Sequence, residues 1–346
     1  MRILYFCPSL SSFVVKDIEI LKEFAHVDVF VFAPSAKWKT PLTFIRQKLF
    51  ILSRSWKCDV YISQFGGYHS FMPSIFARLF NKRSVIVAGG TDCVSFPKMH
   101  YGNFQNKLLG LITKWSYLLC SDIWPVDTSL IKTQSSYDSE QNQPQGILQY
   151  CPNTKARIEV IYNGYSSELW NLEINKKTHS FISVAAGAGD YKRFILKGLD
   201  LIVKTAKKFP HYHFTIVGNA SFNFEIQVPE NVKLISFADS KTLESLYQSH
   251  QYYLQLSISE GFPNAICEAM LCGCIPIASN VAALPKIVGD TGYILNHRDE
   301  NELMELINKL PQPTIQDYNH CRNRIQIEFP IQTRSKHIKQ ILLVKQ

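Results

Sequence analysis

One segment, residues 254–278, constrains the fold of this chain more than any other. It reads LQLSISEGFPNAICEAMLCGCIPIA, and an apolar alternation over 253–257 predicts a strand. A turn at 259–263 leads into a predicted helix over 264–272, and a second apolar run over 275–278 predicts another strand. Strand, turn, helix and strand form a βαβ unit, which is the building block of a parallel sheet.

The turn and helix of this unit combine two features of a site for a phosphorylated sugar. Free backbone N–H groups and the positive dipole end of a helix N-terminus suit a phosphate. The carboxylates of Glu260 and Glu268 are better suited to accept hydrogen bonds from hydroxyls, as on a ribose. Asn264 lies four residues before Glu268, so both face one side of the predicted helix. Taken singly, each feature is also typical of a solvated helix after an ordinary turn.

The complete string from residue 257 to 277, S-x-x-E-G-F-P-N-x-x-x-E-A-M-x-C-G-x-x-P-I, is more specific. It strongly resembles the donor-site motif of retaining GT-B glycosyltransferases, family four in particular, also called glycosyl transferases group 1. In that family a Glu-x7-Glu pair flanks the nucleotide-sugar, and the similarity continues through GDTG at 289–292. The resemblance implies an α/β protein with two Rossmann-like domains facing a cleft, and a C-terminal helix crossing back to the first domain.

Strand-like and helical patterns alternate in two series along the chain, as this fold requires. We predict a Rossmann-like acceptor domain over 1–165, completed by a C-terminal helix over about 318–346. A Rossmann-like donor domain for the nucleotide-sugar is predicted over 166–317. The first βα turn, at 7–12, is rich in serine and lacks Gly-x-Gly-x-x-Gly, which disfavours an NAD-dependent dehydrogenase.

Basic residues ahead of the motif resemble the Arg-x4-Lys-Gly phosphate clamp of the family. Lys197 directly precedes a glycine. Arg193 lies four residues before Lys197 and Lys192 five, so the match to the Arg-x4-Lys-Gly spacing is imperfect. We assign Lys197 and Arg193 to the donor diphosphate, since the planar guanidinium of Arg193 can hold a phosphate through two hydrogen bonds. Two solvated basic residues beside a helix start are the alternative.

The resemblance also implies roles for the motif itself. Glu268 would hold the ribose hydroxyls, and Glu260 would act at the reaction centre on hydroxyls of the transferred sugar. Lys197 would neutralise the departing diphosphate, assisted by backbone N–H groups of Gly261, Phe262 and Asn264.

The predicted first domain supplies one further candidate. GGTD at 89–92 stands where the family often has His-Gly-Ser/Thr-Asp, so Gly89 replaces the usual histidine and that role cannot be transferred. Asp92 is the predicted catalytic residue of this half, because active sites of open α/β sheets lie at the carboxyl ends of strands. His69 is nearby in the pattern, but a loop histidine is more typical of a surface position.

Charge is unevenly distributed, and the formal net charge of +9 favours an anionic partner. No acidic residue occurs between Asp28 and Asp59, while 36–58 carries six basic residues interleaved with aromatic ones. The basic residues are Lys37, Lys39, Arg46, Lys48, Arg54 and Lys57, and a leucine-rich stripe comprises Leu42, Ile45, Leu49 and Leu52. The segment predicts either an ordinary helix packed on the sheet or a helix at an anionic membrane surface.

The sequence therefore predicts a retaining, metal-independent hexosyltransferase that moves sugar from a nucleotide-diphosphate sugar to a glycan or lipid-linked acceptor. No cofactor or metal is expected, since there is no Asp-x-Asp string and the nine cysteines lack metal-site spacing. A nucleotide-sugar epimerase or hydrolase on the same fold is the alternative, and nucleic-acid binding is supported only by charge. Without a signal segment or a run of about 18 apolar residues, we expect a cytoplasmic protein, peripheral on the membrane if 36–58 binds there.

Overall fold

The computed structural model describes residues 1–343, apart from the side chain of Lys37. Its strands form two sheets. The first contains β1 (Arg2–Cys7), β2 (His26–Val31), β3 (Val60–Gln64), β4 (Arg83–Ala88), β5 (Asp122–Pro125) and β6 (Arg157–Ile158). The second contains β7 (Lys177–Val184), β8 (His213–Val217), β9 (Val232–Ile235), β10 (His250–Gln255), β11 (Ile275–Ser279) and β12 (Tyr293–Leu295).

Helices connect these strands. In the first half they are α1 (Ser12–Lys22), α2 (Thr40–Arg54), α3 (Tyr68–Leu79), α4 (Lys107–Leu119) and α5 (Ile147–Tyr150). In the second half they are α6 (Tyr191–Leu196), α7 (Leu199–Lys208), α8 (Ser240–Ser249), α9 (Asn264–Leu271), α10 (Leu284–Val288) and α11 (Glu300–Asn308). The chain ends in α12 (Ile315–Glu328) and α13 (Ile331–Leu343).

Both sheets are parallel, with strand orders β2-β1-β3-β4-β5-β6 and β12-β11-β10-β7-β8-β9. Their central strands are buried on both faces, which explains the continuous apolar runs in the sequence. In the first sheet the step from β1 to β2 runs opposite to all later steps. Right-handed crossovers therefore place α1 on one face and α2, α3 and α4 side by side on the other. The predicted division between residues 165 and 166 lies in the connection from β6 to β7.

Helix α2 packs on the sheet through an unexpected face. Its buried residues are Thr43, Gln47 and Ile51, while the leucine-rich stripe predicted from the sequence is exposed. Gln47 is held in place by donating a hydrogen bond to the backbone carbonyl of His69, 2.7 Å away. The segment therefore contains a helix packed on the sheet, as one of the two interpretations expects, but the leucine-rich stripe is not the side that packs.

The last two helices divide their contacts between the halves. Helix α12 packs against α9 and α10, whereas α13 reaches back to α1. The helical conformation is interrupted between α12 and α13 at Pro330, which lacks an N–H donor. Arg334 of α13 forms a buried pair with both carboxylate oxygens of Asp17, at 2.7 and 2.6 Å. Its Nη1 donates to the backbone carbonyls of Ile161 and Tyr162, so each nitrogen of the buried guanidinium makes a hydrogen bond. Residues 344–346 of the predicted C-terminal helix lie outside the described residues.

Two short elements begin at aspartate caps. The carboxylate of Asp127 caps a single helical turn at Thr128–Leu130, and the chain then leaves to pair Thr133 with Gln145. Helix α6 begins directly after Asp190. Asp190 caps that helix by accepting a hydrogen bond from the N–H of Arg193, an N-cap signal present in the sequence.

Among residues 1–343, no helix is both long enough and apolar enough to cross a membrane.

Candidate active site

An ion pair between Lys197 and Glu260 lies at the centre of the site. Lys197 Nζ is 2.6 Å from Glu260 Oε1, and both side chains are largely buried. Burial alone lowers the pKa of Lys197, but the adjacent carboxylate outweighs this effect and leaves the pKa above its ordinary value. Lys197 is therefore a cation at neutral pH, as a residue that binds a phosphate must be.

The junction of α6 and α7 holds Lys197 in this position. Gly198 adopts a positive φ of 68°, and a side chain there would collide with the carbonyl oxygen of Leu256. In addition, the N–H of Ile258 donates to the carbonyl of Leu196 at 2.9 Å. The Lys-Gly sequence is thus required because the helix junction packs directly on the segment that follows β10.

The buried side-chain amide of Gln255 orients Glu260. Gln255 Nε2 donates to Glu260 Oε1 at 2.9 Å and to the hydroxyl of Ser257 at 3.0 Å. Gln255 is held in turn by the hydroxyl of Tyr253, which donates to its Oε1 at 2.9 Å. Sequence reasoning missed this chain of contacts, although the alternation of β10 places Tyr253 and Gln255 on one face.

Tyr101 joins this cluster from the first half of the chain, and no motif in the sequence identified it. Its hydroxyl is 3.1 Å from the hydroxyl of Thr91. Burial raises the pKa of Tyr101, while the charge of Lys197 lowers it and that of Glu260 raises it again, so both charged groups lie close to the ring. Tyr101 thus lies within electrostatic range of the ion pair, and its hydroxyl contacts Thr91 of the same half.

The two halves touch at glycines beside this cluster. A side chain on Gly261 would collide with the carbonyl oxygen of Gly89, and one on Gly90 would stand 3.2 Å from the Cα of Gly261. The loops after β4 and β10 therefore meet backbone to backbone. This is a closed cleft, and the absence of side chains at these positions permits the closure.

Asp92 holds the loops of the first half together. Its Oδ1 accepts hydrogen bonds from the N–H groups of Gly89 and Gly90, at 3.1 and 3.0 Å. Its Oδ2 accepts from the N–H of Gly66 at 2.8 Å and from the hydroxyl of Tyr117 at 2.7 Å. Four hydrogen bonds to the chain itself give Asp92 a positioning role in the structure, and its predicted catalytic role stays a prediction.

Phe65 occupies the space that a side chain at position 89 would need. A Cβ on Gly89 would overlap the ring of Phe65, which adopts a positive φ of 70° that is uncommon for a large residue. His69 is buried rather than on the surface, so that expectation is wrong. It bonds the carbonyl of Gln64, and burial lowers its pKa.

Two motif residues contact the connection between the sheets. Asn264 Oδ1 accepts from the hydroxyl of Tyr165 at 2.7 Å, and the carbonyl of Phe262 accepts from Asn163 Nδ2 at 3.2 Å. The ring of Phe262 also packs on Phe329, with centroids 5.1 Å apart. The side chains of Phe262 and Asn264 thus anchor the turn, which leaves their backbone N–H groups as the predicted phosphate donors.

Glu268 faces the first half from α9. Burial raises its pKa, and the nearby cation of Lys16 partly offsets that effect. Among residues 1–343, no group donates a hydrogen bond to its carboxylate. A desolvated carboxylate without donors suits a ligand that supplies hydroxyls.

Arg193 is exposed and forms a loose pair with Asp190, 3.7 Å away. Its charge opposes protonation of Lys197, so the two cations are neighbours. Lys192 instead points across the cleft, with its Nζ 2.8 Å from His100 Nε2. The structure thus brings Lys197, Glu260, Gly261 and Arg193 together, while Asn264 and Glu268 form a second group nearer the connection.

An apolar cavity of about 550 Å³ adjoins the cluster on the first half. Its lining includes Gly89, Thr91 and Asp92, and the hydroxyl of Thr91 contacts the hydroxyl of Tyr101. Its walls include Phe32 and Phe65. This volume is ordinary for a ligand pocket, and its position at the carboxyl ends of parallel strands is typical of α/β enzymes.

Among residues 1–343, no three His, Cys, Asp or Glu side chains are grouped so that they could hold a metal ion.

Comparisons with known proteins agree with this architecture. HepE from Anabaena, solved in complex with UDP, superposes with a TM-score of 0.71 over 99% of both chains at 16% identity. An uncharacterized 41.2 kDa protein in the cps region of Klebsiella pneumoniae is 28% identical over 261 residues, covering 71% of this chain and 66% of that protein. The capsular polysaccharide biosynthesis glycosyltransferase CapH of Staphylococcus aureus is 27% identical over 201 residues, covering 54% of each chain. The aligned regions thus span less than two thirds of these curated relatives.

Two facing parallel sheets with a C-terminal helix returning to the first sheet define the GT-B fold, which confirms the predicted fold class. Residues 184–312 match the family Glycosyl transferases group 1. This region contains Lys197, Glu260 and Glu268, so the predicted donor-site residues lie within the matched segment.

Proposed function

We propose that the protein is a glycosyltransferase that transfers a hexosyl unit from a nucleotide-diphosphate sugar, with retention and without a metal ion. The observation that carries this proposal is the Lys197–Glu260 pair at the closed contact between the two halves. A cation beside a carboxylate can serve a diphosphate and a sugar at once, since the first needs positive charge and the second needs hydrogen-bond acceptors.

The proposed donor lies on the second half. Lys197 and Arg193 would bind the diphosphate, and backbone N–H groups at Gly261, Phe262 and Asn264 would assist. The cationic charge of Lys197 takes the part that a metal ion plays elsewhere, because it stabilises the leaving diphosphate in a site that excludes water.

The carboxylates divide the remaining work. Glu268 would accept the ribose hydroxyls, and Glu260 would accept hydroxyls of the transferred sugar. The acceptor would occupy the apolar cavity of the first half, whose lining residue Thr91 contacts the hydroxyl of Tyr101. Since relatives are named for capsule loci and capsular polysaccharide biosynthesis, we propose a polysaccharide pathway with a glycan or lipid-linked acceptor.

A panel of nucleotide-sugars tests the proposal through thermal stabilisation of the protein. The true donor should raise the melting temperature, since a ligand at one hundred times its Kd adds about 2.7 kcal/mol to stability. The stabilisation should be lost in Lys197→Ala and kept in Lys204→Ala, an exposed lysine of α7 paired with Glu300. If no nucleotide-sugar stabilises the wild-type protein, the proposed function is wrong.

Product analysis then separates transfer from other chemistry. With donor and a cell-envelope extract as the source of acceptor, labelled sugar should appear on a larger molecule. Release of free sugar or of an epimerised nucleotide-sugar, with no transfer to any acceptor, would instead establish a hydrolase or an epimerase.

A further inference from the structure

Three neighbouring helices of the first half are built with their apolar sides outward. Helix α2 buries Thr43 and Gln47 and exposes its leucine-rich stripe. Helix α4 likewise buries Gly110, Thr113 and Ser116, while Leu108, Leu111 and Trp115 are exposed. The buried face of α3 is also rich in small and polar residues. Helices packed side by side in this way expose apolar residues on one face of the first half, and large exposed apolar areas are typical of binding surfaces.

The tryptophans are divided in the same way. Trp38 and Trp56, at the two ends of α2, are 77% and 76% exposed, and Trp115 of α4 is 49% exposed. The other two, Trp124 and Trp170, are buried in the core. All three exposed tryptophans therefore lie on one surface, and this residue type is enriched where a protein meets lipid headgroups.

The same part of the chain is rich in positive charge. Residues 29–121 carry twelve Lys and Arg against two acidic residues, a balance of +10, whereas the whole chain has +9. Three of the twelve, Arg54, Arg83 and Lys98, pair with acids outside this segment, and the others include the exposed Arg46 and Lys48 of α2. Of the two acids, Asp92 is buried and Asp59 binds the N-terminal backbone of Arg2. Lysines also lie over the exposed rings, as Lys39 does over Trp38 and Lys57 over Trp56. The partner of this surface is therefore both apolar and anionic.

We propose that this surface, the exposed sides of 38–56 and 108–115, binds an anionic phospholipid bilayer; we call it the basic–aromatic face. A bilayer supplies an apolar interior below a negative headgroup layer, which matches tryptophans and leucines bordered by Lys and Arg. A second copy of the chain fits less well, because a symmetric dimer would bring two strongly basic surfaces together.

The apolar cavity adjoins the helices of this face. Its lining includes Thr40, Tyr68 and Leu109, which belong to the first residues of α2, α3 and α4. Docking would bring this part of the cavity lining close to the headgroups, so an acceptor anchored in lipid would reach the cavity from the bilayer. This assignment of a lipid-anchored acceptor rests on the proposed function, whereas bilayer binding does not.

Tryptophan fluorescence tests docking on the intact protein. With vesicles of phosphatidylglycerol and phosphatidylcholine, emission should shift to shorter wavelength, and lipids brominated on the acyl chain should quench it. Both effects should be much weaker with phosphatidylcholine alone and should decrease with salt. Equal binding to both vesicles, or none to either, would overturn the proposal.

Variants separate the basic–aromatic face from the rest of the surface. Neutralising two exposed charges in Arg46→Gln/Lys48→Gln should reduce partitioning about thirtyfold, since each basic residue near an anionic surface contributes about fivefold. The matched control Lys233→Gln/Lys241→Gln removes two exposed lysines from the second half and should change nothing. If both double variants lose binding equally, net charge rather than this face is responsible.

The apolar contribution has its own pair of variants. Trp38→Ala should abolish most of the quenching that remains in a Trp56→Phe/Trp115→Phe background, whereas Phe237→Ala, equally exposed on the second half, should not. Light scattering without lipid measures the mass of the protein in solution. A stable dimer that dissociates in the Trp38→Ala variant would show that the basic–aromatic face binds a second copy instead of a bilayer.

A labelled donor completes the test. Sugar transferred in the presence of total membrane lipid should be recovered in the fraction soluble in organic solvent, and label found only in aqueous glycans would refute the lipid-anchored acceptor. Nucleotide binding by calorimetry, without lipid, reports on the proposed function separately. Normal nucleotide binding without vesicle binding would refute only docking.

Discussion

Replacing Glu260 with Gln should strengthen the binding of a nucleoside diphosphate while it weakens sugar transfer. In the free protein Lys197 is already paired with Glu260 at 2.6 Å, so an incoming diphosphate must compete with that carboxylate. The substitution removes the competing charge and leaves the cation available. It also removes the acceptor proposed for the sugar hydroxyls, which is why transfer should fall as diphosphate affinity rises.

The structure bounds the size of this effect. A hydrogen bond between charged groups contributes about 1.5–3 kcal/mol. The side chains of Lys197 and Glu260 keep 26% and 10% of their exposure, so solvent screens part of the attraction and the lower half of that range applies. We therefore expect a gain of about 1.5–2 kcal/mol, or roughly tenfold to thirtyfold in diphosphate affinity.

A double-mutant cycle provides the assay. Diphosphate affinity is measured by calorimetry for Glu260→Gln, Lys197→Ala and the double variant, with Lys204→Ala as the control. Lys197→Ala should weaken binding, and the gain from Glu260→Gln should vanish in its absence, because the two residues act through one contact. Unchanged or weaker diphosphate binding in Glu260→Gln would refute the competition, and unchanged transfer in Lys197→Ala would refute the assignment of that lysine.

Three other substitutions separate the proposed roles. Glu268→Gln should weaken nucleotide affinity, measured by calorimetry, by about 1–3 kcal/mol. It should also raise the melting temperature of the free protein, because burial raises the pKa of Glu268 and its ionisation therefore costs stability as pH rises through that pKa. A surface glutamate would show neither the loss of affinity nor the pH-dependent change in melting. Asp92→Asn should lower the melting temperature together with transfer, because its carboxylate accepts four hydrogen bonds, whereas lost transfer with unchanged melting would indicate a direct catalytic role. Gly261→Ala should abolish transfer but keep nucleotide binding, since a methyl group there collides with the carbonyl oxygen of Gly89 and prevents the two halves from closing. The control Gly189→Ala should be active, because position 189 has room for a methyl group.

The fold was predictable because the determining signals are local. The βαβ unit over 254–278 is present with bounds close to those expected, since buried parallel strands require apolar runs and α9 ends before Gly273, whose φ is 83°. The start of α6 also has a local signal in the sequence, the N-cap residue Asp190.

The site was predictable only where a motif supplied it. Lys197 and Glu260 belong to recognisable strings, but their direct contact arises from the packing of the α6–α7 junction on the segment after β10. Tyr101 carries no motif and comes within electrostatic range of the ion pair only because the two halves meet. Lys286 carries no motif either, and its Nζ contacts Asp127 at 3.1 Å across the two halves. Contacts between distant segments leave no local pattern in one sequence.

The leucine-rich stripe of α2 shows a different limit. Periodicity identified the helix and its apolar side, but it does not state whether that side faces the sheet or the solvent. The residues on the opposite side decide the question, because Gln47 finds a buried hydrogen-bond partner in the backbone of His69. Once this partner exists, the polar side can pack inward and the apolar side is left exposed.

The glycine at position 89 follows from the same kind of argument. The ring of Phe65 fills the space beside it, and the backbone of Gly89 meets Gly261 of the second half. A histidine there would have to displace an aromatic wall of the cavity. Gly89 and Phe65 therefore form one local solution, in which both residues line the apolar cavity proposed for the acceptor. Such a solution favours an acceptor with an apolar portion, which the exposed helices beside the cavity also favour.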